Sequence, residues 1–176
     1  MRKILLFSII LSLCNFIYAE NDSLFFGKLI QKASDTALLN TTPENVLKYF
    51  NDLVSLTQES KTKSNCVFAM VKDTNMPLES FKVGFSKDYS QIRKGWVLEY
   101  VSATFSKNSS YLSFTKSSKQ IQQILGEKCK PNNTYGSPAI SWGMKKYSAD
   151  FFVEKSKKIE QLKLLIQIAS GSDSEE

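Results

Sequence analysis

No histidine occurs anywhere in the 176 residues. Its absence removes the usual general base near neutral pH. It also excludes Ser-His-Asp and Cys-His nucleophilic systems and ordinary catalytic zinc sites, which rely on imidazole ligands. Cysteine is scarce, at three residues: Cys14, Cys66 and Cys129. The seven glycines are scattered and form no phosphate-cradling loop, and no calcium loop of alternating Asp or Asn is present. Carboxylates are not clustered along the chain. A glycosidase-like pair, such as Asp88 with Glu99 or Asp150 with Glu154, would have to assemble in space. These absences predict no cofactor and no metal, and they speak against an enzyme.

Long apolar runs are also missing. A membrane span needs about 20 consecutive apolar residues, and the one candidate, starting at Ile4, is cut by Asn15. What stands there instead has the three parts of a secretory signal peptide. Arg2 and Lys3 supply the charge, Ile4 to Leu13 the apolar core, and Ala19 the small residue at the cleavage site. The expected organisation is a signal peptide over 1–19, one domain over 20–170 and a disordered acidic tail over 171–176. The bulky Leu13 before Cys14 argues against lipid attachment at that cysteine. Export to a periplasmic or extracellular space leaves Cys66 and Cys129, an even count in an oxidising compartment, which predicts a disulfide between them.

Arginine is nearly absent after cleavage, with Arg93 alone, while lysine is abundant and unevenly placed. Residues 20–106 carry ten basic and ten acidic side chains, and residues 107–163 carry eleven lysines against four acids. A basic surface raises the local concentration of anionic partners. In an exported chain that points to acidic proteins or anionic envelope components rather than nucleic acid. The shortage of arginine's phosphate-matching fork argues the same way. Four Asn-x-Ser/Thr triplets, at Asn21, Asn40, Asn108 and Asn132, are what a chain rich in these residues produces by chance.

Periodicity supplies the fold class. A helix is predicted over Ser23–Leu39, where Leu24, Phe25, Leu29, Ile30, Ala33, Ala37 and Leu38 recur at helical spacing. A second helix is predicted from Thr42 as N-cap and Pro43 at the first position to about Ser60. Strands are predicted over Cys66–Lys72, Phe81–Ser86, Gly95–Ser106, Tyr111–Phe114, Ala139–Lys146, Ala149–Lys155 and Glu160–Ala169. In Gly95–Ser106 apolar residues fall on both faces, with Trp96, Leu98 and Tyr100 opposite Val97, Val101, Ala103 and Phe105, which predicts a central strand. A third helix should run from Ser117 or Ser118 to about Cys129, with Gly126 a weak point near its end. The class is α+β: two N-terminal helices on a mainly antiparallel sheet of six or seven strands, with a third helix inserted between strands. That order resembles cone-shaped or cystatin-like helix-on-sheet domains at the level of fold alone, and no function follows from it. No internal repeat is visible.

The candidate binding surface combines aromatics with lysines: Tyr135, Trp142, Lys145, Lys146 and Tyr147, together with Lys157 and Lys158. Trp and Tyr commonly anchor interfaces, although Trp142 and Met144 also fit alternate core positions of a strand. The expected function is an exported non-enzymatic binding protein, such as an inhibitor, an immunity protein or an envelope accessory factor, acting by protein-protein contact. The alternatives are a secreted host-interacting factor that uses its lysine-rich half on anionic surfaces, and a histidine-free carboxylate hydrolase. A helix-on-sheet domain can also enclose a pocket for a small apolar ligand.

Overall fold

The computed structural model describes residues 21–73, 76–88, 95–106, 113–133, 136–144, 147–156 and 159–168. The predicted signal peptide and acidic tail lie outside the described residues. The chain forms one eight-stranded antiparallel sheet and three α-helices among the described residues. None of these helices is long and apolar enough to cross a membrane.

Helix α1 occupies 21–33. Its buried side chains are Phe26, Leu29, Ile30 and Ala33, the i, i+3, i+4, i+7 pattern of a single face. Leu24, expected on that stripe, instead points outward. The α1 helix ends at Ser34, whose Oγ donates to the Ile30 and Gln31 carbonyls at 2.9 and 3.0 Å. A 3-10 turn, Thr36–Asn40, is capped by Asp35. The second predicted helix is much shorter than its apolar spacing suggests. Helix α2 is one turn, Val46–Phe50. Leu53 and Val54 are buried in the following turn, and the polar stretch after them extends as strand β1, Leu56–Lys61.

Strands β2 (Asn65–Met70), β3 (Leu78–Asp88) and β4 (Gly95–Phe105) continue a meander from β1. Helix α3, Phe114–Leu125, follows, with the Ser113 hydroxyl accepting from the Lys116 N–H. Phe114 therefore opens a helix rather than closing a strand. Gly126 stops α3 at φ +59°, backbone that an L side chain adopts only at a cost. The chain then turns into β5, Cys129–Asn132, where a helix end and a loop are predicted. Strands β6 (Ala139–Met144), β7 (Tyr147–Ser156) and β8 (Ile159–Ile168) complete a second meander.

The strand order is β1-β2-β3-β4-β8-β7-β6-β5. It is the same counted from either edge: helix, then four-stranded meander, twice, with the last strands of each half paired at the centre. This repeat of topology has no counterpart in the sequence. Both edges carry features that discourage further pairing. Strand β1 is charged and bulged at Glu59, and β5 contains Pro131.

Register shows why one face became the core. Phe68, Val83, Val101, Ile166, Ala149, Trp142 and Cys129 stand side by side on successive strands. A parallel row runs through Phe81, Ala103, Leu164, Phe151 and Ile140. All of these are buried beneath the helices. The opposite face carries half-buried polar and small residues such as Lys82, Ser102, Asp150 and Ser141. Register shifts leave an unpaired Glu59, Glu79 and Glu99 as the extra residue of three bulges. Each bulge inverts the alternation downstream. For this reason Leu98 lies on the inner face with Val101 rather than opposite it, as simple alternation predicts.

Rings join the two halves. Phe26 of α1 contacts Phe105 of β4 at 5.6 Å and Phe151 of β7 at 5.4 Å between centroids. Phe114 stacks on Phe151 at 5.8 Å. Cys66 and Cys129 are free, buried thiols rather than the expected bridge. Strands β2 and β5 are six positions apart in the sheet, about 29 Å measured along it. A disulfide needs Cα atoms within about 7 Å.

Candidate functional site

A cleft of about 530 Å³ opens where the C-terminal ends of α1 and α3 face the β6–β7 pair. Ligand sites commonly occupy about 300–1,000 Å³. From the end of α1 come Gln31 and Ser34, from the end of α3 Ile124 and Leu125, from the 3-10 turn after it Lys128, and from the strands Trp142, Gly143 and Tyr147. Local folding explains each wall. The Ser34 hydroxyl is spent on the last α1 carbonyls, so that end of the helix stays closed. The left-handed turn at Gly126 redirects the chain, so that Lys128 reaches the cleft just before β5 begins. Trp142 and Tyr147 are inward positions of adjacent strands, diagonal to one another across the Trp142–Ala149 pair.

Trp142 and Tyr147 are 6% and 3% exposed. They are core residues that also wall the cleft, not the outward aromatics a flat recognition surface needs. Tyr135, Lys145, Lys146, Lys157 and Lys158, the remaining members of the predicted surface, lie outside the described residues. The structure brings Trp142 and Tyr147 together with residues about a hundred positions earlier, and Gln31 and Ser34 had no signal in the sequence. Ile124 and Leu125 were legible only as helix-core positions.

The polar groups of the cleft are unequally satisfied. Trp142 Nε1 is buried and has no hydrogen-bond partner. A buried donor left this way costs about 1–3 kcal/mol. Lys128 is exposed at the rim and has no carboxylate partner among the described residues. Burial, and secondarily the Asp35 carboxylate, hold the Tyr147 hydroxyl above its ordinary pKa. The same two causes, with Asp52, push Tyr49 up to about 12. Tyr49 belongs to a clasp between α1 and α2. Lys32 Nζ donates to the Tyr49 carbonyl at 2.7 Å, and the Tyr49 hydroxyl donates to the Lys32 carbonyl at 3.2 Å. The Lys32 ammonium also pairs with Asp52 at 2.9 Å and sits 4.7 Å from the Tyr49 ring centre.

No carboxylate among the described residues lines the cleft. Asp150 and Glu154 lie on the opposite, outer face of the sheet. Asp150 accepts from Ser141, which in turn accepts from Asn132 Nδ2, and Glu154 pairs with Lys163 at 2.6 Å. Four residues apart on one strand, their Cα atoms are about 13 Å apart, and each carboxylate is engaged by its own neighbour rather than facing the other across a cleft. Glu99 is the exposed bulge residue of β4, and the Asp88 side chain lies outside what is described. No group of three or more metal-ligating side chains occurs among the described residues. Comparison with protein-family models, with curated proteins and with solved structures finds no match.

Proposed function

We propose that this is an exported, non-enzymatic binding protein, periplasmic or secreted, that seats its partner in the cleft between α1, α3 and the β6–β7 pair. The observation that carries this reading is the character of the cleft wall. Two aromatic rings and two aliphatic side chains supply apolar surface, and Lys128, Gln31 and Ser34 supply polar groups. A few placed polar groups in an apolar hollow suit recognition. Among the described residues, none of those lining the wall forms a paired acid and base. An inhibitor, an immunity protein and an envelope accessory factor are all instances of this class. The export half of the reading rests on residues 1–19.

A photo-crosslinking amino acid at Gln31, an exposed cleft residue, tests the reading in cells that secrete the chain. The expected result is one discrete adduct, resolved by mass spectrometry, at position 31 and none at Thr57 on the distant edge strand. Equal labelling at both positions, or none at position 31, overturns the assignment.

A further inference from the structure

The outer face of the sheet, turned away from the helices, has an order of its own. The pairing registers set its residues in rows that cross the six inner strands. One row runs Ala69, Lys82, Ser102, Leu165, Asp150 and Ser141, one residue each from β2, β3, β4, β8, β7 and β6. Its midpoint falls on the seam between β4 and β8. Lys82 stands one strand beyond the seam pair on one side, and Asp150 one strand beyond it on the other. Leu165 and Ser102 flank the seam itself. In the neighbouring row Tyr100 and Gln167 hold mirror positions, as do Val67 and Gly143. About this seam, positive charge mirrors negative and each larger side chain mirrors a smaller or polar one. Ala69, Ser102 and Ser141 are short, so a second sheet can approach to the usual spacing of about 10 Å. The two charges are held in place within the chain. Lys82 reaches Glu59 at 2.8 Å, and Asp150 accepts from Ser141. An ammonium has three donors and a carboxylate about four acceptor sites, so each has capacity for a further contact.

We infer that this face docks a second copy of the chain, the two sheets packed face to face about a two-fold axis along the β4–β8 seam. Such an axis lays β3 of one copy over β7 of the other and β4 over β8. Lys82 of each copy then faces Asp150 of the other, and Leu165 covers Ser102, twice by symmetry. A two-fold running across the strands along that row would instead stack Lys82 on Lys82 and Asp150 on Asp150, so charge selects the first. Six strands span about 24 Å, and six residues of each about 20 Å. That area is about 500 Å² per copy and about 1,000 Å² in all, the lower bound for a specific interface, which makes the dimer a reversible one. The edge strands β1 and β5 lie beyond these six. The helices lie on the other side of each sheet, so both clefts stay open in the pair. The dimer is therefore independent of what the cleft binds.

Sedimentation velocity of the purified chain over a concentration series tests the pair. The expected result is a mass that doubles as concentration rises. Lys82→Glu and Asp150→Lys, each alone, should weaken the dimer by at least about tenfold, because each sets like charges face to face at two symmetric places. Mixed in equal amounts, the two variants should pair again. The reversed charge of one then meets the reversed charge of the other, and the native contact forms at the second place. Leu165→Arg, at a half-buried position beside the axis, should leave the chain folded by circular dichroism and monomeric throughout. Gln122→Arg, at an exposed position of α3, should leave the dimer as it is. A chain that stays monomeric up to about 1 mM, the weakest association worth the name, overturns the inference. So does a dimer that survives Leu165→Arg, and so do folded charge variants that fail to pair when mixed.

Discussion

Tyr49 shows how a single side chain couples two short elements and makes stability depend on pH. Alone, the one-turn α2 is far below the length at which a helix holds in water. The reciprocal bonds between Lys32 and Tyr49, with the Lys32–Asp52 pair, fix it to α1. The Tyr49 hydroxyl is held protonated, its pKa pushed from 10.0 to about 12 mainly by burial. A folded-state pKa above the unfolded one means the contribution is present below about pH 10 and is lost as pH rises towards 12. Urea unfolding at a series of alkaline pH values should therefore show stability falling across that window. Tyr49→Phe should flatten the fall relative to the parent. An identical slope in the variant would show that other groups carry it.

At the level of elements, pairing is decided by small residues and bulges that periodicity does not announce. Gly84 on β3 faces Tyr100 on β4, and a Cβ there would lie 2.2 Å from the tyrosine ring. The ring covers the glycine, an arrangement known to restore packing lost at strand glycines. Gly84→Ala should destabilise the fold by about 1–3 kcal/mol, as overpacking does, measured by chemical denaturation. The cost should shrink in a Tyr100→Ala background, because the two positions are coupled. Additive effects would mean that the ring does not occupy that space. The bulges at Glu59, Glu79 and Glu99 explain another mismatch. An alternation that assumes one unbroken period assigns Leu98 to the wrong face, since a bulge shifts the phase by one residue. Strands β1 and β5 were hidden for a related reason. Each is a short edge strand, with five exposed residues of six in β1 and a proline in β5, and so neither shows an inward apolar row.

For the whole molecule, the aromatic cluster is the seam. Phe151 touches Phe26, Phe105 and Phe114, so it links both meanders with both long helices. Phe151→Ala should cost about 3–5 kcal/mol, the range for a buried ring. The two halves should still unfold in a single transition by circular dichroism and fluorescence. Two separate transitions would show that each meander is its own cooperative unit.

The sequence by itself determined the class of fold, α+β with a central strand over 95–105, the helical faces around Phe50 and Ile121, and the lack of histidine chemistry. Those properties are local: a period, a cap or a missing residue type is written within a few positions. Only the tertiary structure decided the rest. Tertiary pairing set eight strands rather than six or seven, and ended α2 after one turn. It placed Cys66 and Cys129 six strands apart as free thiols. It also turned Trp142 and Tyr147 inward, against Gln31, Ser34 and Lys128. The physical reason is sequence separation. Whether a cysteine meets its partner, or an indole N–H its acceptor, depends on where the chain returns about a hundred residues later. Burial in the common core, not local preference, sets that return.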